Sequence, residues 1–134
     1  MKKGKRMRSI VSGVLMLVAV VHALPLAGVL GAGKLLQLYG VPVQDPGLEL
    51  LLRHRAVLFG LLAALLCYAA LHPPLHRAAL VAGLVSVVSF LWLWWSTGTT
   101  SAALARVAQI DGVALALLVV GAVAHLRAGA AAAP

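Results

Sequence analysis

The fold is decided by residues 9–30, which read SIVSGVLMLVAVVHALPLAGVL and contain no charged side chain. A helix needs about 20 apolar residues to cross the roughly 30 Å of hydrocarbon in a bilayer, and this stretch is long enough. A basic segment precedes it, as in a signal peptide, but the apolar core of a signal peptide is usually only about 7–15 residues long. We therefore expect a retained first membrane helix.

Three further apolar blocks follow, at residues 56–71, 78–95 and 107–126. Of the 134 residues, 63% are hydrophobic and 10% charged, which leaves too few polar side chains to cover the surface of a small soluble domain. The connections after the second and third blocks are short and force antiparallel neighbours. We predict an all-α membrane protein, with residues 1–134 forming a single transmembrane domain, an antiparallel bundle of four transmembrane helices.

The connection between the first two spans contains a predicted short interfacial helix. Residues 34–39, KLLQLY, are apolar on one side and precede Gly40, a residue type that commonly ends helices. Asp45 and Pro46 supply an N-cap and a first helical residue, so the second helix is expected to begin near Pro46. Thr100 and Ser101 are the corresponding capping residues for the fourth helix.

The net charge of +8 is distributed like a topology signal and not like a nucleic-acid-binding face. Seven basic residues fall on one side of the predicted bundle: Lys2, Lys3, Lys5, Arg6, Arg8, Arg77 and Arg127. Four fall on the other: Lys34, Arg53, Arg55 and Arg106. The positive-inside rule therefore predicts a multi-pass protein of the bacterial inner (cytoplasmic) membrane with both termini in the cytoplasm. The expected partner is the lipid bilayer, with no nucleic acid.

Small residues recur at helical spacing within the predicted spans and favour close contact between helices. We expect them to form the inner faces of the bundle. The candidate packing residues are Ala23, Ala27, Gly60, Ala64, Gly83 and Gly112.

Polar side chains in the outer half of the bundle form a candidate intramembrane site. Asp111 is the only acid within a predicted span, and an ionisable group at that depth usually faces a partner, a cavity or water. The same depth is predicted for His22, His54, Arg55, Arg106 and Gln109, with Glu49 slightly above them. Two interpretations remain open: a structural ion pair between Asp111 and Arg55 or Arg106, or a functional pocket in which His22 carries protons.

No catalytic or cofactor motif occurs in the sequence. It contains no glycine-rich phosphate loop, no nucleophile elbow, no zinc-protease helix and no pair of carboxylates within one span. His72, His76 and His125 are expected near the inner surface as interfacial residues, since Pro73 and Pro74 break the helix that would align the first two. We expect no catalytic residue, no bound metal and no cofactor.

Three short motifs carry a family resemblance: residues 53–60 (RHRAVLFG, after a Leu-Tyr-Gly loop), 85–92 and 105–111 (ARVAQID). With them the chain resembles a group of small bacterial four-helix membrane proteins and, more broadly, DoxX-like proteins. Members of that group often carry the label phosphopantetheine adenylyltransferase. Soluble enzymes of that name use a nucleotide-binding α/β domain with a His-x-Gly-His motif. This sequence has neither, so we do not expect that activity.

Two functions remain open at this point. The first is a non-enzymatic accessory or scaffold component that contacts other membrane-protein subunits or copies of itself. The second is a binding or transport module for a small, partly apolar molecule, using a pocket around Asp111. An open pocket beside Asp111 favours the second, and a closed ion pair between Asp111 and Arg55 favours the first.

Overall fold

The computed structural model describes residues 2–130, which are almost entirely helical and contain no strand. A 3₁₀ segment, Leu24–Leu30, follows the first helix, and a second one, Pro73–Leu75, precedes the fourth. The α-helices are α1 (Lys2–Ala23), α2 (Ala32–Tyr39), α3 (Pro46–Leu71), α4 (His76–Thr97) and α5 (Ala102–Ala130).

The predicted helix ends are confirmed where a capping residue was identified. The Asp45 carboxylate accepts the N–H of Leu48 at 2.6 Å, and Pro46 is the first residue of α3. The Ser101 hydroxyl accepts the N–H of Leu104 at 3.4 Å at the start of α5. Gly40 ends α2 with a φ of 65°, a conformation that glycine adopts without steric cost. The helix predicted between the first two spans is therefore present.

The first span was predicted as one continuous helix, and the structure differs from this prediction. α1 ends at Ala23, and the chain continues to Leu30 as a 3₁₀ helix. Pro25 explains the change, because it has no N–H to donate to the preceding turn and its ring crowds that turn. The 3₁₀ segment is held to α3 by Arg53, whose Nε–H donates to the carbonyl of Val29 at 2.9 Å.

Within the described residues, four segments are long and apolar enough to cross a membrane: Gly4–Leu30, Pro46–Leu71, Pro73–Thr97 and Ala102–Ala130. Large apolar side chains face outward on all of them; Leu30 is 76% exposed and Leu126 is 72% exposed. In water that surface would be strongly unfavourable, whereas hydrocarbon accepts it without cost. The predicted fold class, an all-α membrane bundle, is confirmed.

Helix α1 has α3 and α5 as its main neighbours. It packs extensively against α3 and α5, and α5 in turn packs against α4. The fully buried side chains of Val11, Leu15, Val18, Leu66 and Leu118 form the middle of this core.

We call the end of the bundle that carries α2 the α2 end, and the opposite end, where α1 begins and α5 finishes, the terminal end.

The close-packed small residues are only partly those expected from the sequence. Gly83 is buried against Leu118, and Gly60 faces Leu26. The expected inner-face position is wrong for four residues, whose side chains or Cα atoms face outward: Ala23, Ala27, Ala64 and Gly112. On α5 the close contact lies instead at Gly121, which is buried. A four-residue spacing marks one helix face, but it does not say which face turns inward.

Replacement of Gly121 by leucine tests this packing. A Cβ atom at Gly121 would lie 3.0 Å from Val14 Cγ1 and 3.1 Å from Leu80 Cδ2, so Gly121→Leu should separate the helices. We expect it to lower the free energy of unfolding in detergent by about 2 kcal/mol. The control is Gly112→Leu, because nothing lies within 4 Å of that position. Equal stability of the two variants would contradict the packing described here.

Candidate functional site

A cavity of about 230 Å³ lies at the α2 end of the bundle. Residues from α1, the first 3₁₀ segment, α2, α3, α4 and α5 all contribute to its walls. Most of the lining is apolar, with a small number of charged and aromatic side chains. The lining residues are Val21, His22, Leu24, Pro25, Gln37, Leu38, Tyr39, Arg55, Phe59, Phe90, Ala103, Arg106, Val107, Ile110 and Asp111.

Arg55 is positioned in this cavity by two aromatic rings. Its guanidinium carbon lies 5.2 Å from the centroid of the Tyr39 ring and 5.1 Å from that of Phe59. A cation over an aromatic face is attracted to the negative potential of the ring, more strongly where water is excluded. Burial raises the pKa of the Tyr39 phenol, and the charge of Arg55 opposes this only in part, so the hydroxyl stays protonated at neutral pH.

Asp111 faces the cavity without a direct cationic partner. The one ion pair within residues 4–130 joins Arg53 and Glu49, whose atoms Nη1 and Oε1 are 3.6 Å apart. The predicted ion pair of Asp111 with Arg55 or Arg106 is therefore not formed. Arg55 and Arg106 line the same cavity, and the charge of Arg55 acts on the Asp111 side chain across the open space.

His22 lines one side of the cavity, and both of its ring nitrogens form hydrogen bonds within the bundle. The side chain is buried, and its Nδ1–H donates to the Val18 carbonyl at 3.0 Å. In the neutral ring, Nε2 therefore accepts from the Ser86 hydroxyl, 3.2 Å away on α4. The ring also lies 5.8 Å from that of Phe59, centroid to centroid. These contacts fix the orientation of the imidazole.

Four of the seven predicted site residues meet in the cavity: His22, Arg55, Arg106 and Asp111. The other three do not line it, for reasons of helical geometry. His54 is adjacent to Arg55 and so is rotated by about 100° around α3, and Gln109 is about 200° from Asp111 around α5. Both are exposed. Glu49 pairs with Arg53 one turn away on the surface of α3.

Sequence reasoning missed the aromatic part of the site. Phe59 follows Arg55 by four positions, which places the two side chains on one face of α3, so this spacing was an available signal. Tyr39 has a weaker signal: it follows the buried Leu35 by four positions on α2. Gln37 and Phe90 also line the cavity, and nothing in their local sequence distinguishes them.

The arrangement suits an amphipathic molecule. Apolar walls can cover a hydrocarbon part, while Arg55 and Arg106 offer N–H donors and Asp111 offers acceptor oxygens. Because Asp111 and Arg55 do not form an ion pair with each other, each side chain keeps hydrogen-bonding capacity that a ligand could use.

A double-mutant cycle tests the aromatic support of Arg55. We expect Arg55→Gln and Phe59→Leu to be coupled by about 1 kcal/mol in detergent stability, because each change alone removes the same cation–π contact. Phe90→Leu is the control, since Phe90 lines the cavity but does not stack on Arg55. Equal coupling of Arg55 to both rings would contradict the contact. A coupling between Asp111→Asn and Arg55→Gln that exceeds the Arg55–Phe59 coupling would be evidence for the ion pair predicted from sequence.

Comparison of the chain with known proteins found no match: no family model, no curated protein and no solved structure is significantly similar to it.

Proposed function

We propose that this chain is a binding module of the bacterial cytoplasmic membrane that holds a small, partly apolar molecule in the α2-end cavity. The observation that carries the proposal is the open space between Asp111 and Arg55. A closed ion pair there would have indicated a purely structural role. The two side chains instead line one cavity without contact between their charged groups.

The dimensions and lining of the cavity support a ligand smaller than a typical drug. Pockets for drug-sized molecules usually hold about 300–1,000 Å³, and this cavity holds about 230 Å³. Its apolar side chains would exclude water from the ligand and so strengthen each polar contact made inside. The expected ligand has a compact apolar body and a polar group able to accept a hydrogen bond from Arg55.

The side chains take distinct roles in this proposal. Arg55 would bind the polar group of the ligand, and its stacking between Tyr39 and Phe59 reduces the entropy lost when the ligand is bound. Asp111 would accept a hydrogen bond from the ligand or balance the charge of Arg55. His22 would shape the wall, since both of its nitrogens are already engaged.

A role as an accessory or scaffold component is the second candidate. It is favoured by the small residues Ala23, Ala27, Ala64 and Gly112, which face outward and would allow another helix to approach closely. That partner would be another membrane-protein subunit or a second copy of this chain. The resemblance to small bacterial four-helix and DoxX-like proteins, which rests on the three sequence motifs alone, is compatible with both functions. The adenylyltransferase label receives no support from the residues of the cavity.

Retention of a small molecule during purification tests the binding function. The protein is purified in mild detergent, and organic extracts are compared by mass spectrometry. We expect a compound that accompanies the wild-type chain and is lost from Val107→Phe, because Val107 lines the cavity and phenylalanine would fill it. Val113→Phe is the matched control: it makes the same change on α5 at a position that is 64% exposed.

Two results would count against the binding function. One is an identical set of compounds in the wild-type protein and both variants. The other is stoichiometric co-purification of a second membrane protein with all three, without any retained small molecule, which would favour the scaffold role.

We also propose that the terminal end faces the cytoplasm. Three basic residues described near the start of α1 (Lys5, Arg6 and Arg8) lie at this end with Arg77 and Arg127, and the α2 end has fewer. Under the positive-inside rule, a C-terminal fluorescent-protein fusion should be bright. An alkaline phosphatase fused after Thr99, between α4 and α5, should be active. The reverse pattern would invert the orientation and place the cavity on the cytoplasmic side.

A further inference from the structure

A second polar cleft lies at the terminal end, where the beginnings of α1 and α4 meet the last turns of α5. It encloses about 480 Å³, and its walls carry one arginine and two histidines from three different helices. The lining residues are Arg8, Pro73, Pro74, His76, His125, Ala128 and Gly129. The α2-end cavity makes no use of these side chains.

The basic side chains converge on this cleft. His76 is 1% exposed, and its Nε2 lies 3.5 Å from the Ser12 hydroxyl. The His125 ring approaches it edge-on, with ring centroids 6.4 Å apart. Arg8 precedes Ser12 by one helical turn and therefore lies on the same face of α1.

No acidic side chain balances this group. The chain has three acids, Asp45, Glu49 and Asp111, and all of them belong to the α2 end. Lys5, Arg6, Arg77 and Arg127 add further positive charge to the terminal end. An anion from outside the chain is the counter-charge that this cleft can accept. Arginine and histidine N–H groups form charge-assisted hydrogen bonds with phosphate oxygens.

Two alternatives fit the cleft less well. A metal ion usually needs three or more protein ligands, and residues 2–130 contain no group of three His, Cys, Asp or Glu that could hold one. The neighbouring groove around Arg127 combines this arginine with apolar walls, the pattern of a basic side chain that extends along lipid. The groove around Arg77 has one further polar residue, His125, on apolar walls. Of these three grooves in the described part of the chain, the cleft of Arg8 is the one that brings an arginine together with two histidines.

We propose that the cleft formed by Arg8, His76 and His125 binds a phosphate-bearing anion. An anionic phospholipid headgroup and free phosphate share this chemistry. The site is at the opposite end of the bundle from the α2-end cavity, so its failure would leave the proposed small-molecule function unchanged.

Stabilisation by phosphatidylglycerol provides the test. The melting temperature of the protein in detergent is followed while phosphatidylglycerol or phosphatidylcholine is added. We expect phosphatidylglycerol to raise it, and Arg8→Gln and His125→Gln each to shift the half-saturating lipid concentration about tenfold upward, because each removes a donor to the phosphate. Arg127→Gln is the matched control, since it removes one charge at the same end outside the cleft.

Inorganic phosphate distinguishes the two sources of the anion. If millimolar phosphate stabilises the wild-type protein and Arg127→Gln but not Arg8→Gln, the site accepts the free ion. If phosphatidylglycerol shows this pattern of stabilisation and inorganic phosphate does not, the ligand is a lipid headgroup. Circular dichroism checks that every variant remains helical. An equal response of all variants to phosphatidylglycerol, an equal effect of phosphatidylcholine, or no response to either anion would overturn the proposal.

Discussion

Hydrocarbon offers no hydrogen bond to the backbone, so each N–H and C=O within the four spans must find its partner inside the protein. This constraint explains why the chain is helical almost throughout and why its one irregular span stands out. Pro25 removes a donor from the first span, and the backbone beyond it changes to 3₁₀ geometry. Near the end of this segment a side chain of α3 supplies a donor: Arg53 donates to the carbonyl of Val29. Arg53, which entered the sequence analysis through the charge balance and a family motif, thus connects α3 to the irregular part of the first span.

The need of polar groups for partners inside the protein also shapes the α2-end cavity. An arginine near a membrane interface is commonly neutralised by an acid, and Asp111 was the available acid. Here the two aromatic rings attract Arg55 without cancelling its charge, and the carboxylate remains across the cavity. The acid and the arginine therefore line one cavity without forming an ion pair. A polar ligand bound there would supply hydrogen-bond partners to both side chains.

Sequence reasoning predicted the positions of the helices better than it predicted which face of each helix turns toward the core. Span positions, the helix between the first two spans, and the caps at Asp45 and Ser101 follow from local chemistry, because apolar length and capping residues act within a few positions. Which face of a helix turns inward depends on its neighbours, and here local spacing misled: Gly112 faces outward and Gly121 inward. The charged site residues were identified by their depth, and Phe59 could have been found from its four-residue spacing to Arg55. Tyr39 required knowledge of where α2 packs in the bundle.

The change from α to 3₁₀ geometry after Ala23 also affects the length of the first span. A 3₁₀ helix rises about 2.0 Å per residue, compared with about 1.5 Å in an α-helix. The segment Gly4–Leu30 has 27 residues, and with seven of them in 3₁₀ geometry it extends about 44 Å. The 29 residues of α5, fully α-helical, extend about 43 Å. Two neighbouring segments with different numbers of residues therefore have nearly the same length.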